Sequence, residues 1–227
     1  MNVTARDIEN APIDVPVQRR SAQRFIVVLM LAVTMSAAVF CLVQNRDTVA
    51  SIARLVPVES ASTVPDFSLT DQQGRTIGAK QLHGQVWVAD FVFTRCSGPC
   101  PTLSHHMGNL QGEFVRDADV KLVTFTLDPV NDTQPVMADY ARRFHADDAR
   151  WLFLTGPDER AMHELVEKGF LQSVRAATAD APIVHSTYFV VVDRQGRMRA
   201  FHDGLDPESR GSLVASVRAL LAEVAGP

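Results

Sequence analysis

Two cysteines, Cys96 and Cys100, are separated by three residues in a chain that contains three cysteines in all. A disulfide gains stability mainly from the length of the loop that it closes, and this loop is too short to stabilise a fold appreciably. The pair is better suited to reversible thiol–disulfide chemistry or to joint ligation of a metal ion. The third cysteine, Cys41, lies in an apolar stretch, and we interpret it as an inert buried thiol.

Histidine could add a further ligand to the thiol pair, because neutral imidazole binds both copper and zinc. The chain has seven histidines, so residue type alone selects none of them. His106 falls near the edge of the apolar stripe of the helix that follows the thiols, and His185 directly precedes a strongly apolar segment. From the residues alone, both remain candidates.

The thiol pair lies between a predicted buried strand and a predicted helix. Residues 86–94 (VWVADFVFT) form a nearly continuous apolar run, which is typical of a central strand covered on both faces. A helix is predicted from about Pro101, and its apolar residues recur at helical spacing: Leu103, Met107, Leu110 and Phe114. Because a helix N-terminus favours negative charge, we expect it to stabilise a thiolate with the help of Arg95.

The rest of residues 64–227 alternates strands with helices. Further strands are predicted at 121–128 and 151–155, and β-hairpins at 65–79 and 186–204. Three helix starts are also predicted: a cap by Asp132 and Thr133, an opening at Thr155-Gly156-Pro157, and a last helix with Asp206 as N-cap and Pro207 after it. This pattern predicts a three-layer α/β domain with a mixed central sheet.

Residues 25–43 form an apolar stretch in which Thr34 and Ser36 are the only polar side chains. As a helix it would span roughly 28 Å, which matches the hydrocarbon core of a bilayer. We therefore predict one transmembrane helix. A signal-peptidase site at Ser36-Ala37-Ala38 is the alternative, but apolar sequence continues beyond it.

Basic residues crowd the N-terminal side of this segment: Arg19, Arg20 and Arg24. The positive-inside rule then leaves the tail of residues 1–24 in the cytoplasm. Residues 44–63 are predicted to be a linker, and residues 64–227 a periplasmic domain anchored to the inner membrane in a single pass. The net charge of −4 argues against nucleic acid as a partner, which would require a basic surface.

Four segments resemble the Sco/SenC family, in the family's order and at suitable intervals: FVFTRCSGPCP, FTLDPVNDTQPVMADYARRF, WLFLTG and VHSTYFVVVDRQG. The resemblance covers roughly residues 64–224. It implies a thioredoxin-like fold, a single membrane anchor, and assistance in assembling the copper A centre of cytochrome c oxidase. It also implies that Cys96, Cys100 and His185 are the copper ligands, and that Asp128 lies in an outer shell or faces a partner.

Copper fits this implied ligand set. Thiolate sulfur is soft and selects Cu(I) or zinc, whereas imidazole suits Cu(I) and Cu(II) alike. Structural zinc almost always has four protein ligands, and no third cysteine is present outside the apolar stretch. The resemblance therefore implies a metallochaperone rather than an enzyme, which receives copper from an upstream donor and passes it to the oxidase subunit that carries copper A.

Asp90 leaves a second hypothesis open. It lies six residues before Cys96 inside the predicted buried strand, where thioredoxins carry an acid that assists proton transfer. The chain could thus be a thiol–disulfide reductase with a redox-active disulfide, in which Cys96 attacks and Cys100 resolves. A buried acid satisfied by local donors is the plainer interpretation. A peroxiredoxin-like peroxidase would explain neither His185 nor the position of Cys100.

Overall fold

The computed structural model describes residues 29–36, 55–178 and 183–223. The chain divides into two units, residues 1–46 and residues 47–227. In the first unit, residues 29–36 are helical with exposed side chains, and the rest of the predicted segment 25–43, like the tail 1–24, lies outside the described residues. Within the described part of the chain, no helix is both long and apolar enough to cross a membrane.

The second unit contains nine strands and five α-helices among its described residues. In chain order they are β1 (Ser68–Thr70), β2 (Thr76–Gly78), α1 (Ala79–Leu82), β3 (Val86–Val92), α2 (Cys100–Glu113), β4 (Val120–Thr126), α3 (Gln134–Arg143), β5 (Trp151–Leu154), α4 (Glu159–Glu164), β6 (Val174–Arg175), β7 (Val184–His185), β8 (Tyr188–Val192), β9 (Met198–Asp203) and α5 (Ser209–Ala222). A π-helical turn, Leu165–Gly169, follows α4 directly.

Five of these strands form the central sheet, in the order β5-β4-β3-β8-β9. The strands β3, β4 and β5 run parallel, whereas β8 and β9 are antiparallel to their neighbours. All seven residues of β3 are buried, as the apolar run predicted for a central strand. The predicted mixed sheet is confirmed.

Side chains alternate across β3 and thereby build two cores. Val86, Val88 and Val92 pack on one face against α2, α3 and α5, and the predicted stripe of α2 is buried there. Trp87 and Phe91 pack on the other face against α4, the π-helical turn and the β1–β2 hairpin. These two covered faces confirm the predicted three layers.

Both edges of the sheet are covered. Beside β9, Val56 donates its N–H to the Arg199 carbonyl at 2.7 Å, and Val64 donates to Gly196 at 2.9 Å. Beside β5, the Gln72 side chain accepts from the Phe153 N–H and donates to the Trp151 carbonyl, each at 2.9 Å. These hydrogen bonds cover part of each edge and leave less of it free to pair with another chain. Val56, which the sequence pattern placed in the linker 44–63, thus lies beside β9.

Two predicted helix starts are wrong by a few residues, and the third, at Thr133, is correct in position but not in the side chain that was expected to cap it. The helix expected at Pro157 begins at Glu159, because the Asp158 side chain accepts from Ala161 and caps it. The last helix begins at Ser209, since Asp206 instead accepts from the Glu208 N–H within the preceding turn. Thr133 is the N-cap of α3 but makes no side-chain cap, and Asp132 is turned away from this helix.

Candidate metal centre

The two thiols lie where β3 leads into α2, but they differ in exposure. Cys100 is the first residue of α2 and is fully buried. Cys96 is partly exposed, and its N–H donates to the Phe93 carbonyl at 3.1 Å, which closes a tight turn after the strand. A partner molecule can therefore reach Cys96 but not Cys100.

Burial, rather than the helix start, dominates the chemistry of Cys100. Loss of hydration raises the pKa of the Cys100 thiol well above its ordinary value, and a hydrogen bond with the Cys96 side chain raises it further. A backbone hydrogen bond at Phe93 opposes the shift, and the negative charge of Asp90 adds to it. The expected stabilisation of a thiolate by the helix is overridden at this residue.

His185 is brought to the thiols by a small two-stranded sheet that the sequence pattern did not indicate. In this sheet β6 pairs antiparallel with β7, so that Val174 lies opposite His185. The Ser186 N–H donates to the Ser173 carbonyl at 3.0 Å, and the Ser186 hydroxyl donates to the buried Gln172 side chain at 2.7 Å. The His185 Nε2 atom consequently lies 3.4 Å from the Cys100 Sγ atom.

The second ring nitrogen of His185 fixes its tautomer. Nδ1 lies 2.8 Å from the Ser186 carbonyl oxygen. A carbonyl can only accept, so Nδ1 carries the proton and Nε2 presents its lone pair to Cys100. Burial lowers the pKa of His185, which keeps the ring neutral. A neutral imidazole with a fixed tautomer is the form in which histidine binds a metal.

The donor set suits a soft metal ion, although it is not assembled as a closed site. In the described part of the chain, no three His, Cys, Asp or Glu side chains form a group ready to hold a metal ion. Cys100 is in contact with His185, and Cys96 is close enough to raise the pKa of the Cys100 thiol. Thiolate and neutral imidazole are ligands that copper prefers. The three-residue ligand set stays a prediction.

The rival histidine, His106, is engaged elsewhere. Its Nδ1 atom donates to the Gly204 carbonyl at 2.6 Å. It lines a cavity of about 220 Å³ together with Phe189 and Leu213. The structure therefore joins His185, rather than His106, to the buried thiol.

Asp128 and Arg95 form an ion pair beside the thiol turn. Asp128 is almost fully buried at the end of β4, and its Oδ2 atom accepts from Arg95 at 2.8 Å. Its Oδ1 atom accepts from the Asn131 side chain at 2.7 Å. Arg95, which was expected to stabilise a thiolate, is thus paired with a carboxylate. Asp128 makes contact with the residue before Cys96 rather than with either thiol.

Asp90 lies on the face of β3 that α2 covers, and it is completely buried. Its Oδ1 atom accepts from the Thr124 hydroxyl at 2.6 Å, whereas its Oδ2 atom has no hydrogen-bond partner. Burial raises the pKa of Asp90 to about 7, against the lowering effect of the Thr124 hydrogen bond. The predicted acid is therefore buried close enough to Cys100 to influence its ionisation, and it has a single donor.

The sequence of this chain is similar to those of one known protein family. The family model described as SCO1/SenC matches residues 57–222, which is most of the chain. The chain belongs to the SCO1/SenC family. A curated relative, the SCO1 protein homolog of Bacillus subtilis, is 28% identical over 156 residues that cover 68% of this chain and 81% of the relative.

Solved structures of the same family share the fold. A SCO1/SenC family lipoprotein from Bacillus anthracis is 28% identical with a TM-score of 0.66, covering 70% of this chain and 95% of that one. BsSco, described as a Sco family cytochrome c oxidase assembly protein with a disulfide switch, is 26% identical with a TM-score of 0.65, covering 72% and 96%. ScoI of Bradyrhizobium japonicum, solved with copper bound, is 21% identical with a TM-score of 0.59, covering 70% and 99%, and this last likeness concerns the fold alone.

One buried residue near the thiols escaped sequence analysis in this SCO1/SenC domain. Asp132 was interpreted as a helix cap, yet its carboxylate is bonded to Thr94, at the end of β3, and to Thr126. Burial raises the pKa of Asp132, and these hydrogen bonds oppose the shift. No local pattern signals such a contact, because Thr94 lies 38 residues away, in the turn that follows β3.

Proposed function

We propose that this chain binds copper through Cys96, Cys100 and His185 and assists the assembly of cytochrome c oxidase, by passing copper to the subunit that carries copper A. Membership of the SCO1/SenC family supports this role, because the BsSco relative is described as an oxidase assembly protein. ScoI, which shares the fold, was solved with copper bound. Copper is a cargo in this proposal, received from an upstream donor.

The contact between Cys100 and His185 carries the proposal. These residues are 85 positions apart, and the structure brings Sγ within 3.4 Å of the unprotonated Nε2 atom. Copper binding would replace the proton that burial holds on the Cys100 thiol, so that the metal charge offsets the cost of a buried thiolate. Partly exposed Cys96 would complete the set at the surface, where a partner's ligand can approach.

We further propose that residues 25–43 anchor the domain to the inner membrane, with the N-terminus in the cytoplasm and the thiols in the periplasm. The apolar composition of the segment and the arginines before it support this topology. The expected result is that alkaline carbonate does not extract the chain from membranes. A reporter that is active only in the periplasm should work when fused after Ala222 and fail when fused before Arg19.

Copper titration of the reduced full chain, purified in mild detergent, tests the ligand set. The wild-type chain should bind one Cu(I) in competition with a chromophoric chelator, and its Cu(II) form should show sulfur-to-metal charge-transfer absorption. Cys96→Ser, Cys100→Ser and His185→Ala should each weaken Cu(I) binding by at least about tenfold and abolish this absorption.

His106→Ala is the matched control, since His106 is the rival imidazole and is bonded to Gly204 instead. This variant should bind copper as the wild-type chain does. Undiminished binding in His185→Ala would contradict the ligand set, and equal losses in both histidine variants would show that the effect is not specific to His185.

A second function, thiol–disulfide reduction of an exported target, is favoured by the unequal exposure of the thiols and by Asp90. The Cys96 thiolate would attack a target disulfide, form a mixed disulfide and release one target thiolate. The Cys100 thiolate would then attack the Cys96 sulfur and release the second. The products are a reduced target and a Cys96–Cys100 disulfide, so two electrons pass to the target.

The same variants separate the two functions. If reduction is the main activity, the copper-free full chain should reduce an oxidised peptide that contains the two copper A cysteines, and His185→Ala should retain most of that rate. Cys96→Ser should abolish it. Loss of both copper binding and reduction in His185→Ala would instead assign His185 to a step that the two functions share.

A further inference from the structure

The loop of residues 128–132 presents a buried carboxylate that no helix cap explains. Asp132 is fully buried, and its Oδ2 atom accepts from the Thr94 N–H at 3.0 Å and from the Thr126 hydroxyl at 2.5 Å. Its Oδ1 atom accepts from the Thr94 hydroxyl. One side chain therefore joins the turn after β3 to the last residue of β4.

These contacts converge on two of the three residues between β3 and the reactive thiol. Thr94 is bonded to Asp132 through both its backbone and its side chain, and Arg95 is bonded to Asp128. The same loop is itself fixed, because the Asp128 N–H donates to the Thr126 hydroxyl at 3.0 Å. The backbone just before Cys96 is thus held by hydrogen bonds to a single loop, residues 128–132.

Cys96 needs such support more than Cys100 does. Cys100 is held by its place in the first turn of α2 and by the surrounding core, whereas Cys96 lies in a partly exposed turn with one backbone bond to Phe93. A ligand that is displaced by even a fraction of an ångström binds a metal poorly, so residues that orient ligands affect affinity without touching the ion.

We propose that Asp132 is a positioning residue for Cys96. Its carboxylate holds Thr94 through hydrogen bonds and so fixes where the Cys96 thiol lies relative to Cys100 and His185. The inference rests on the proposed function, in which these three residues act together. Asp132 makes no contact with the metal or with a thiol. Its influence passes through the backbone of residues 94–96.

Two substitutions distinguish hydrogen bonding from charge. Asp132→Ala removes all three bonds and should weaken Cu(I) binding by about tenfold or more in the full chain. Asp132→Asn should stay within about threefold of the wild-type chain, because its oxygen can accept from the Thr94 N–H and from Thr126. Its amide can then donate to the Thr94 hydroxyl, which also accepts.

Asp71→Ala is the control for general destabilisation. Asp71 is also fully buried and accepts three bonds, from the Gln73 N–H and from the N–H and Nε of Arg75, but it fastens the β1–β2 turn. The Asp71→Ala variant should be less stable than the wild-type chain but bind copper with the same affinity. Equal losses of copper affinity in Asp71→Ala and Asp132→Ala would overturn the proposal, as would an unchanged affinity in Asp132→Ala.

A second measurement keeps the positioning role separate from copper. The equilibrium constant between the Cys96–Cys100 dithiol and its disulfide, set with dithiothreitol, should shift about tenfold in Asp132→Ala, which is about 30 mV, and should not shift in Asp71→Ala. If the wild-type chain fails to bind copper while this shift occurs, the proposed function fails and the positioning role stands. No shift would overturn the positioning role. If Asp132→Ala does not fold, Thr94→Val should give a smaller shift in the same direction, and an unshifted Thr94→Val would overturn the role.

Discussion

Asp90 and Asp132 are both completely buried near the thiols, and they differ in the donors that surround them. Asp132 accepts three hydrogen bonds from Thr94 and Thr126. Asp90 accepts one, from Thr124, and its second oxygen has no partner. Asp90 lies inside β3, the strand that leads to Cys96, whereas Asp132 lies in the loop after β4 and contacts the turn after β3.

The number of donors decides what each group can do. Burial destabilises the charged form of a carboxylate, and hydrogen bonds to that form offset the destabilisation. Because Asp132 accepts three hydrogen bonds, removing its carboxylate leaves three donors unsatisfied. A single donor leaves Asp90 with a pKa of about 7, close to neutral pH, where it can exchange a proton. The comparison therefore predicts opposite consequences when the two acids are replaced.

Asp132→Ala should give the largest loss of stability. Removing the carboxylate leaves the partly buried Thr94 N–H and hydroxyl and the buried Thr126 hydroxyl without their acceptor, which should lower the free energy of unfolding by about 4 kcal/mol. Urea denaturation followed by circular dichroism measures this change. Asp139→Ala, which removes an exposed carboxylate of α3, should change it by less than about 0.5 kcal/mol. A loss below about 1 kcal/mol in Asp132→Ala would contradict the claim that Asp132, unlike Asp90, stabilises the fold through its hydrogen bonds.

Asp90→Asn should change the free energy of unfolding in the opposite direction, towards higher stability. The raised pKa of about 7 means that the folded chain holds a proton that the unfolded chain has released above its ordinary pKa of 3.8. Stability therefore falls as the pH rises between these values and is flat above them. Asparagine removes this fall, so the variant should be more stable than the wild-type chain by up to about 4 kcal/mol at pH 8 and about equally stable near pH 4. Thermal unfolding across this pH range measures the difference. The same pH dependence of stability in the variant and in the wild-type chain would contradict the prediction.

Thr124→Val should sharpen the description of Asp90. The Thr124 hydroxyl donates to Asp90 and accepts from the Trp151 Nε1 atom at 2.8 Å, so valine leaves two buried groups unsatisfied. The free energy of unfolding should fall by about 2 kcal/mol at pH 8. In the Asp90→Asn background the loss should change by more than about 0.5 kcal/mol, because the two side chains share a bond. Additive effects in this double-mutant cycle would mean that the two residues act independently.

Arg95→Gln should give the smallest change. The Arg95 side chain is 65% exposed, and Asp128 keeps its bonds to Asn131 when the guanidinium is removed. A pair of this kind contributes at most about 1 kcal/mol and is weakened by salt. Denaturation at low and high salt measures it. A loss above about 2 kcal/mol would indicate that Arg95 supports the thiol turn as strongly as Asp132 does.

Local patterns in the sequence predicted much of this fold. The apolar run of residues 86–94 gave a buried strand, and the helical spacing that begins at Leu103 gave the buried face of α2. The helical spacing reflects the one face that α2 buries, and the continuous run reflects a strand that is covered on both faces. Helix ends were less accurate, because a cap depends on one side chain whose orientation local sequence does not fix.

The sequence by itself determined the thiol pair, the order of the strands and helices, and the resemblance that pointed to His185. Only the tertiary structure decided which side chains meet at the thiols. His185 reaches Cys100 across 85 residues through a strand pair of two residues each, which is too short to leave a period. Asp132, in the loop after β4, reaches Thr94, in the turn after β3, across 38 residues. Periodicity records how an element packs, whereas contacts between loops are set by how the elements are arranged in space.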